Sequence, residues 1–322
     1  MRTIFFLVPA FFLVASLSAQ EPKKEPPKKE PLKITPGKVI VPTDAMRRIW
    51  GELISIDPKT RTGKFRNEGT EEVVEFTIMP YAELLHHAAF GDVQDYRVGE
   101  RAIFRMHENT EGKWVYLTYI QDEMNFLNGH KEYYWVDKID PAKGEIEYTQ
   151  ANGDKSFERA KGLILETDKD TRYWKNGEPA KFADIKVGDK LRTKSHGIGK
   201  EKHHVCWEIF LDDASLEKFQ KEQQAVHSKR LAELGWIGYV DTNNATEVQL
   251  TLFQEGKEWA KEMKAGRKIE IAPAGVDRVP GKPVEGTLKA AKPQGNLTVV
   301  TITLAKPTEE LKVMGLARVW LK

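Results

Sequence analysis

Three stretches of this chain repeat the same strand pattern, and that repetition limits the fold more than any other feature. Each opens with an alternating segment that closes on an apolar–aspartate step: Ile54-Ser55-Ile56-Asp57-Pro58, Val136-Asp137-Lys138-Ile139-Asp140-Pro141 and Ile237-Gly238-Tyr239-Val240-Asp241. Each later carries a glycine among charged residues that leads into a new strand, in Tyr96-Arg97-Val98-Gly99-Glu100, Ile185-Lys186-Val187-Gly188-Asp189 and Met263-Lys264-Ala265-Gly266-Arg267. The tryptophans keep step, with Trp50, Trp135 and Trp236 in the opening strands and Trp114, Trp207 and Trp320 in the last ones. Six of eight tryptophans following one pattern identify an internal repeat, so the chain reads as a row of like modules rather than one continuous parallel sheet under covering helices.

Period-two alternation and turn residues predict strands in the first module near 49–56, 62–66, 72–78, 101–107 and 114–121. Between the third and fourth, Pro80-Tyr81-Ala82-Glu83-Leu84-Leu85-His86-His87-Ala88-Ala89-Phe90 reads as a short helix, with proline in its first turn and Gly91 at its end. Three strands, a helix and two strands is the order of the OB-fold, a small five-stranded Greek-key barrel. The second module repeats it near 133–139, 145–149, 155–165, 190–195 and 203–211, with a turn and loop at 174–180 in place of the helix. The third is less regular, with a helix near 255–264 and strands at 284–290, 297–304 and 315–321. Asp213 is the expected cap of a solvent-facing helix that runs to Leu234, ends at Gly235 and joins modules two and three.

The chain therefore divides into residues 39–125, 126–212 and 235–322 as barrel modules, with 213–234 as the connecting helix. Over roughly residues 47–322 this arrangement resembles the tandem small-barrel, OB-like modules of uncharacterised secreted bacterial proteins, on the strength of the strand-end aspartates and the Gly-Asp turns. The resemblance implies a mainly β fold of tandem Greek-key barrels and transfers no functional residue. The third module departs from the pattern: Asp241 and Gly266 are 25 residues apart, against 42 for Asp57 to Gly99 and 48 for Asp140 to Gly188.

The N-terminal residues 1–20 carry Arg2, an apolar run from Ile4 to Val14 and the small residues Ala15-Ser16-Leu17-Ser18-Ala19, the pattern of a cleaved secretory signal. That run is too short to span a membrane, which takes about 20 apolar residues. The expected location is secreted or periplasmic, with no membrane span after cleavage. Residues 21–38 hold five prolines, six lysines and three glutamates and read as a disordered tether. The chain carries +2 overall, and once the signal and tether are set aside residues 39–322 carry −2, which argues against nucleic acid as a partner. A single cysteine, Cys206, allows no disulfide within the chain.

Candidate chemistry is sparse. His204, Cys206 and Glu208 alternate onto one face of the last strand of module two, and imidazole, thiolate and carboxylate are all zinc ligands. Against this, no CxxC or HxxxH partner accompanies them, and a half-buried cysteine flanked by rim histidines accounts for the same residues. His86-His87 stand at helical rather than metal-pair spacing, which suits one buried and one exposed histidine. The Asp-Pro pairs at 57–58 and 140–141 could supply opposed carboxylates but sit where turns are expected. Lys194-Ser195-His196-Gly197-Ile198-Gly199 reads as a hairpin loop, and no GxSxG, HExxH, phosphate-loop or dinucleotide motif occurs. In Tyr133-Tyr134-Trp135 adjacent residues of a strand must face opposite ways, so at least one ring is expected outside the barrel, where it can stack on a sugar or a base.

These observations point to an exported, non-enzymatic binding or scaffolding protein, with a glycan or an envelope protein as partner, Tyr133, Tyr134 and Trp135 as the ligand-binding candidates, no catalytic residue and no cofactor. The alternatives are an extracellular hydrolase with a cleft between modules and a periplasmic metal-binding protein resting on His204 and Cys206.

Overall fold

The computed structural model describes residues 37–39, 46–196 and 203–322. The expected signal, nearly all of the tether and Gly197-Ile198-Gly199 lie outside the described residues. Barrel one is built from β1 (Arg47–Asp57), β2 (Thr62–Asn67), β3 (Val73–His86), β4 (Ala89–Phe90), β5 (Arg101–Glu108) and β6 (Trp114–Asp122). β1 pairs with β2, β2 with β3, β3 in parallel with β6, β6 with β5 and β5 with β1, which closes five strands in the OB order. Barrel two repeats that circuit with β7 (Glu132–Asp140), β8 (Glu145–Asn152), β9 (Glu158–Glu166), β12 (Lys190–Ser195) and β13 (His203–Phe210), again with one parallel joint, β9 to β13. A hairpin of β10 (Arg172–Lys175) and β11 (Glu178–Ala180) extends its sheet. The loop expected at 174–180 is that hairpin's tip, where Asn176 and Gly177 both adopt positive φ (54° and 74°), as a two-residue turn of type I′ requires.

The repeat is physical in the first two barrels. The first strand of each bulges, at Leu53–Ser55 and Val136–Lys138, and the glycine turn bonds back to the bulge. Gly99 N–H donates to the Leu53 carbonyl at 2.6 Å and Gly188 N–H to the Val136 carbonyl at 2.8 Å. Both glycines hold φ near +90°, a conformation that disfavours any side chain. Asp57 and Asp140 close the first strands as turn residues, their carboxylates accepting the N–H of Lys59 at 2.9 Å and of Ala142 at 3.1 Å.

Barrel three follows a different path. β14 (Trp236–Asn243), β15 (Glu247–Leu252), β16 (Lys268–Ala274), β17 (Val284–Gln294), β18 (Leu297–Leu304) and β19 (Leu316–Leu321) close in the order β14-β15-β18-β17-β16-β19, with every joint antiparallel. Strict alternation builds its wall: β15 buries Val248, Leu250 and Leu252 and leaves the residues between them half-buried on the outer face. Gly266 does turn at φ 85°, but onto Leu288 of β17, so it is not the counterpart of Gly99 and Gly188. The bulge of β14 at Val240 is met instead by Lys312-Val313-Met314-Gly315, where Met314 N–H donates to the Val240 carbonyl at 2.8 Å. Met314 takes φ 66° where the other barrels place glycine. Asp241 correspondingly matches Asp137, not Asp57: both lie in the bulge and accept a threonine hydroxyl, Thr251 at 2.9 Å and Thr149 at 2.6 Å.

The helix expected over 80–90 does not form. β3 continues to His86 and returns as β4 through His87 and Ala88, at φ 47° and 60°. This segment is buried on both faces, so its sequence lacks the alternation that marks a strand and reads like a buried helix turn. Pro80 is accommodated where the β3–β6 register shifts between Ile78 and Glu83, a place that asks for no ladder N–H. The helices among the described residues are α1 (Glu123–His130), between barrels one and two, α2 (Asp213–Leu234), and short 3₁₀ turns at Val93–Asp95, Phe182–Asp184 and Gln254–Glu262.

α2 is capped by Asp212, which accepts the Ser215 N–H at 2.8 Å, while Asp213 pairs with Arg192 of barrel two. Rather than facing solvent all round, α2 buries Leu216, Gln223, His227 and Leu231 and lies against β4, β10, β13 and β19, so it touches all three barrels. The barrel cores also meet directly: Tyr81 of β3 contacts the rings of Tyr239 and Phe253 from barrel three, and Ile103 of β5 joins the core of barrel two. No helix among the described residues is long and apolar enough to cross a membrane.

Candidate functional site

β7 sorts the aromatic run as alternation demands. Tyr134 points inward, 2% exposed, packed on Tyr148 at 4.1 Å between ring centroids. Tyr133 and Trp135 point outward and are half-buried. Lys190 is the cross-strand partner of Trp135, and its ammonium and that of Lys155 lie 4.7 and 4.6 Å from the indole centroid. Arg192 lies 4.2 Å from the Tyr133 ring, whose hydroxyl donates to Asp213 at 3.1 Å. The indole N–H donates to the Asn152 carbonyl at 3.0 Å. The result is an aromatic ledge with fixed ring orientations and cations set among the rings.

The three residues of the zinc candidate are placed differently from one another. β13 bulges at Trp207, since Lys194 pairs with Glu208 and Ser195 with Cys206. The extra residue breaks the alternation that would put Cys206 and Glu208 on one face. Cys206 packs inside barrel two beside Leu191 and Ile209, and burial pushes its thiol well up, with Glu123 and Asp168 adding to the effect. Glu208 turns to the junction with barrel one, 3.3 Å from His87 Nε2 and 2.6 Å from Arg172. Burial opposes ionisation of Glu208, yet the bond to His87 and the charges of Lys194, His87 and Arg172 prevail and hold its carboxyl below the usual range. The side chain of His204 lies outside the described residues. With Cys206 sealed in the core, a soluble disulfide reagent should label it in the native protein only as fast as the fold opens, and Cys206→Ala should cost about 0.5–3 kcal/mol in a denaturant titration. Rapid native labelling would place the thiol elsewhere.

The site that sequence reasoning missed lies where barrels one and two meet α2. The β3–β4 turn brings His86 and His87 side by side, with ring centroids 4.1 Å apart. Asp122, at the end of β6, accepts the His87 N–H at 2.8 Å and caps α1 through the Asn125 N–H at 2.7 Å. Donor atoms of His86, His87 and Asp122 lie within 4.8 Å of one another, a set that resembles a metal site. The cation there is the protein's own. Lys194 Nζ lies 2.7 Å from His86 Nε2, 2.8 Å from Glu100 and 3.6 Å from Asp122. Burial disfavours the ammonium, but Glu100 and Asp122 outweigh it and raise its pKa. Burial, then the Lys194 charge, depress His86 to about 3, so the ring is neutral. Its Nε2 accepts from Lys194, and Nδ1–H donates to Gln223 Oε1 at 3.1 Å. Gln223 in turn donates to Asp95, which is held by Arg230. A metal at this place must displace a salt-bridged lysine, which makes the cluster a structural joint. The adjacent histidines were visible in the sequence; the lysine 108 positions away, which decides their role, was not.

Two further networks have the same character. Glu123, wholly buried, accepts from Arg101, Tyr134, Thr193 and Ser195 and so ties barrel one to barrel two. Asp92 of barrel one pairs with Arg61 at 2.9 Å and with Arg278 of barrel three at 3.7 Å, and Arg278 also binds Glu255 at 2.6 Å.

No protein-family model matches the chain. No curated protein matches it either. Among solved structures, a chain described as drosophila Unr CSD456 aligns with 85% of this chain and 94% of its own length at 13% identity, with a TM-score of 0.18, too low to carry any argument. The fold therefore rests on its own strand pairing: tandem small closed barrels, the first two with OB topology.

Proposed function

We propose that this chain is an exported, non-catalytic binding and scaffolding protein that holds a neutral glycan against Tyr133 and Trp135. The observation that carries this is the outward aromatic pair on a rigid barrel strand, beside Lys190, which donates one ammonium N–H to the Gly153 carbonyl at 2.6 Å, and Lys155, which lies 3.6 Å from Asp137; each ammonium keeps further N–H groups for ligand oxygens. Supporting it, the buried titratable clusters are engaged in joining barrels, as at Glu123 and Lys194, rather than converging on an open cleft. The net charge of −2 on residues 39–322 favours a neutral ligand over a polyanion, and the N-terminal run Ile4–Val14 favours export.

The test is a titration of the protein with neutral oligosaccharides at low and high salt. Trp135→Ala should weaken binding roughly tenfold to a hundredfold, the order expected for one stacked ring, with little change between salt concentrations. Tyr134→Ala should instead cost about 3–5 kcal/mol of stability. Binding that collapses with salt would favour an anionic ligand, capture of a partner protein through the same rings would favour scaffolding alone, and release of cleaved sugar would favour a hydrolase.

A further inference from the structure

A groove separate from the Tyr133–Trp135 ledge opens between the β3–β4 hairpin, α1 and α2, with a volume of about 580 Å³. Phe90, half-buried, forms apolar wall and is backed by the His227 ring, with centroids 5.5 Å apart and planes 28° apart. Asn125 and Asn128, one turn apart on α1, line it together with Gln224 of α2. Among the described residues none of these three side-chain amides makes a hydrogen bond within the protein. His227 is 6% exposed; its Nε2 donates to the Glu255 carbonyl at 2.7 Å, which leaves Nδ1 as an acceptor without a partner among the described residues. Glu258 is the one acidic lining residue, and no lysine or arginine lines the groove.

We infer that this groove is a binding site for a neutral saccharide. A sugar ring presents an apolar C–H face and a rim of hydroxyls that both donate and accept. Phe90 matches the face, and carboxamides, each offering donors and an acceptor, match the rim. An anionic ligand would meet Glu258 with no cation to offset it. The assignment stands apart from the ledge and uses none of its residues.

The experiment follows the His227 ring resonances by NMR in full-length protein while a panel of cello-, malto- and N-acetylchito-oligosaccharides is added. It is run in the wild type, in Tyr133→Ala/Trp135→Ala and in Asn128→Leu/Gln224→Leu, with Asn128→Ser/Gln224→Ser as a milder pair should the leucines disturb folding. The expected result is a saturable shift of His227 that survives loss of the ledge and weakens at least tenfold in the amide variants. Three results would overturn it: no saccharide shifts His227, the amide variants bind as tightly as wild type, or only a simple amine such as putrescine produces the shift. Binding lost in the ledge variant alone overturns the groove and leaves the ledge reading in place.

Discussion

Replacing Glu123 with alanine should cost about 3–5 kcal/mol of stability, the order seen when one partner is removed from a buried ion pair. The carboxylate is wholly buried and satisfied on both oxygens: Oε1 accepts from Arg101 at 2.8 Å and Tyr134 at 2.7 Å, and Oε2 from Ser195 at 2.8 Å and Thr193 at 3.0 Å. Alanine leaves a phenol and two hydroxyls without their acceptor and leaves Arg101, 8% exposed, dependent on Glu68 alone. Because the donors come from two barrels, the loss should appear as looser docking of barrel one on barrel two, not as local fraying. Denaturant titration measures the cost, and hydrogen exchange should show protection falling on β5, β7 and β12 together. A loss below about 1 kcal/mol would show that the network is a passenger of apolar packing. Adding Arg101→Met to Glu123→Leu should recover part of the loss, because a buried pair removed as a whole costs far less than a pair broken in half.

Acid should loosen the junction through His86. Its folded pKa is about 3 against 6.5 for the free side chain, so above pH 6.5 it adds no pH dependence. As pH falls from 6.5 the unfolded chain takes up a proton that the buried ring refuses, and stability declines by about 1.4 kcal/mol per pH unit until the folded ring also protonates near pH 3. The full decline is on the order of 5 kcal/mol. His107 and His196, also depressed by burial, act with the same sign. The lowered carboxyls of Asp122 and Glu208 add to the loss at still lower pH, whereas Glu100, raised by burial, acts in the opposite sense. In His86→Gln, which can still accept from Lys194, the stability slope between pH 6.5 and 4.5 should be shallower than in the wild type by about one proton. Equal slopes in the two proteins would show that His86 is not the buried neutral ring described above.

Much of this protein follows from local chemistry and was legible on that account. Strands such as β15 and β18 alternate residue by residue because one face meets the core and the other meets water, and period two survives any arrangement of neighbours. Gly99 and Gly188 were identifiable because few other residues hold φ near +90° without strain, and Asp57 and Asp140 because a short carboxylate closes its own turn. The helix α2 announced itself through its length and its terminal glycine. Where both faces of an element are buried that information vanishes, which is why the sequence of β3 beyond Ile78 resembles a helix and gives no sign that the histidine pair sits at a strand turn.

The roles of individual side chains belong to the tertiary structure. Trp50, Trp135 and Trp236 each lie on the first strand of a barrel, yet Trp236 plugs barrel three, Trp50 packs on Phe126 beneath Arg101, and Trp135 looks outward. A single bulge at Trp207 parts Cys206 from Glu208, and one lysine from another barrel turns a metal-like set of histidines and aspartate into a joint. Periodicity records which face of a strand is wet. Only the folded chain, by bringing together residues dozens to more than a hundred positions apart, sets which charge sits beside which ring, and the free energies of buried ionisable groups depend on that neighbourhood.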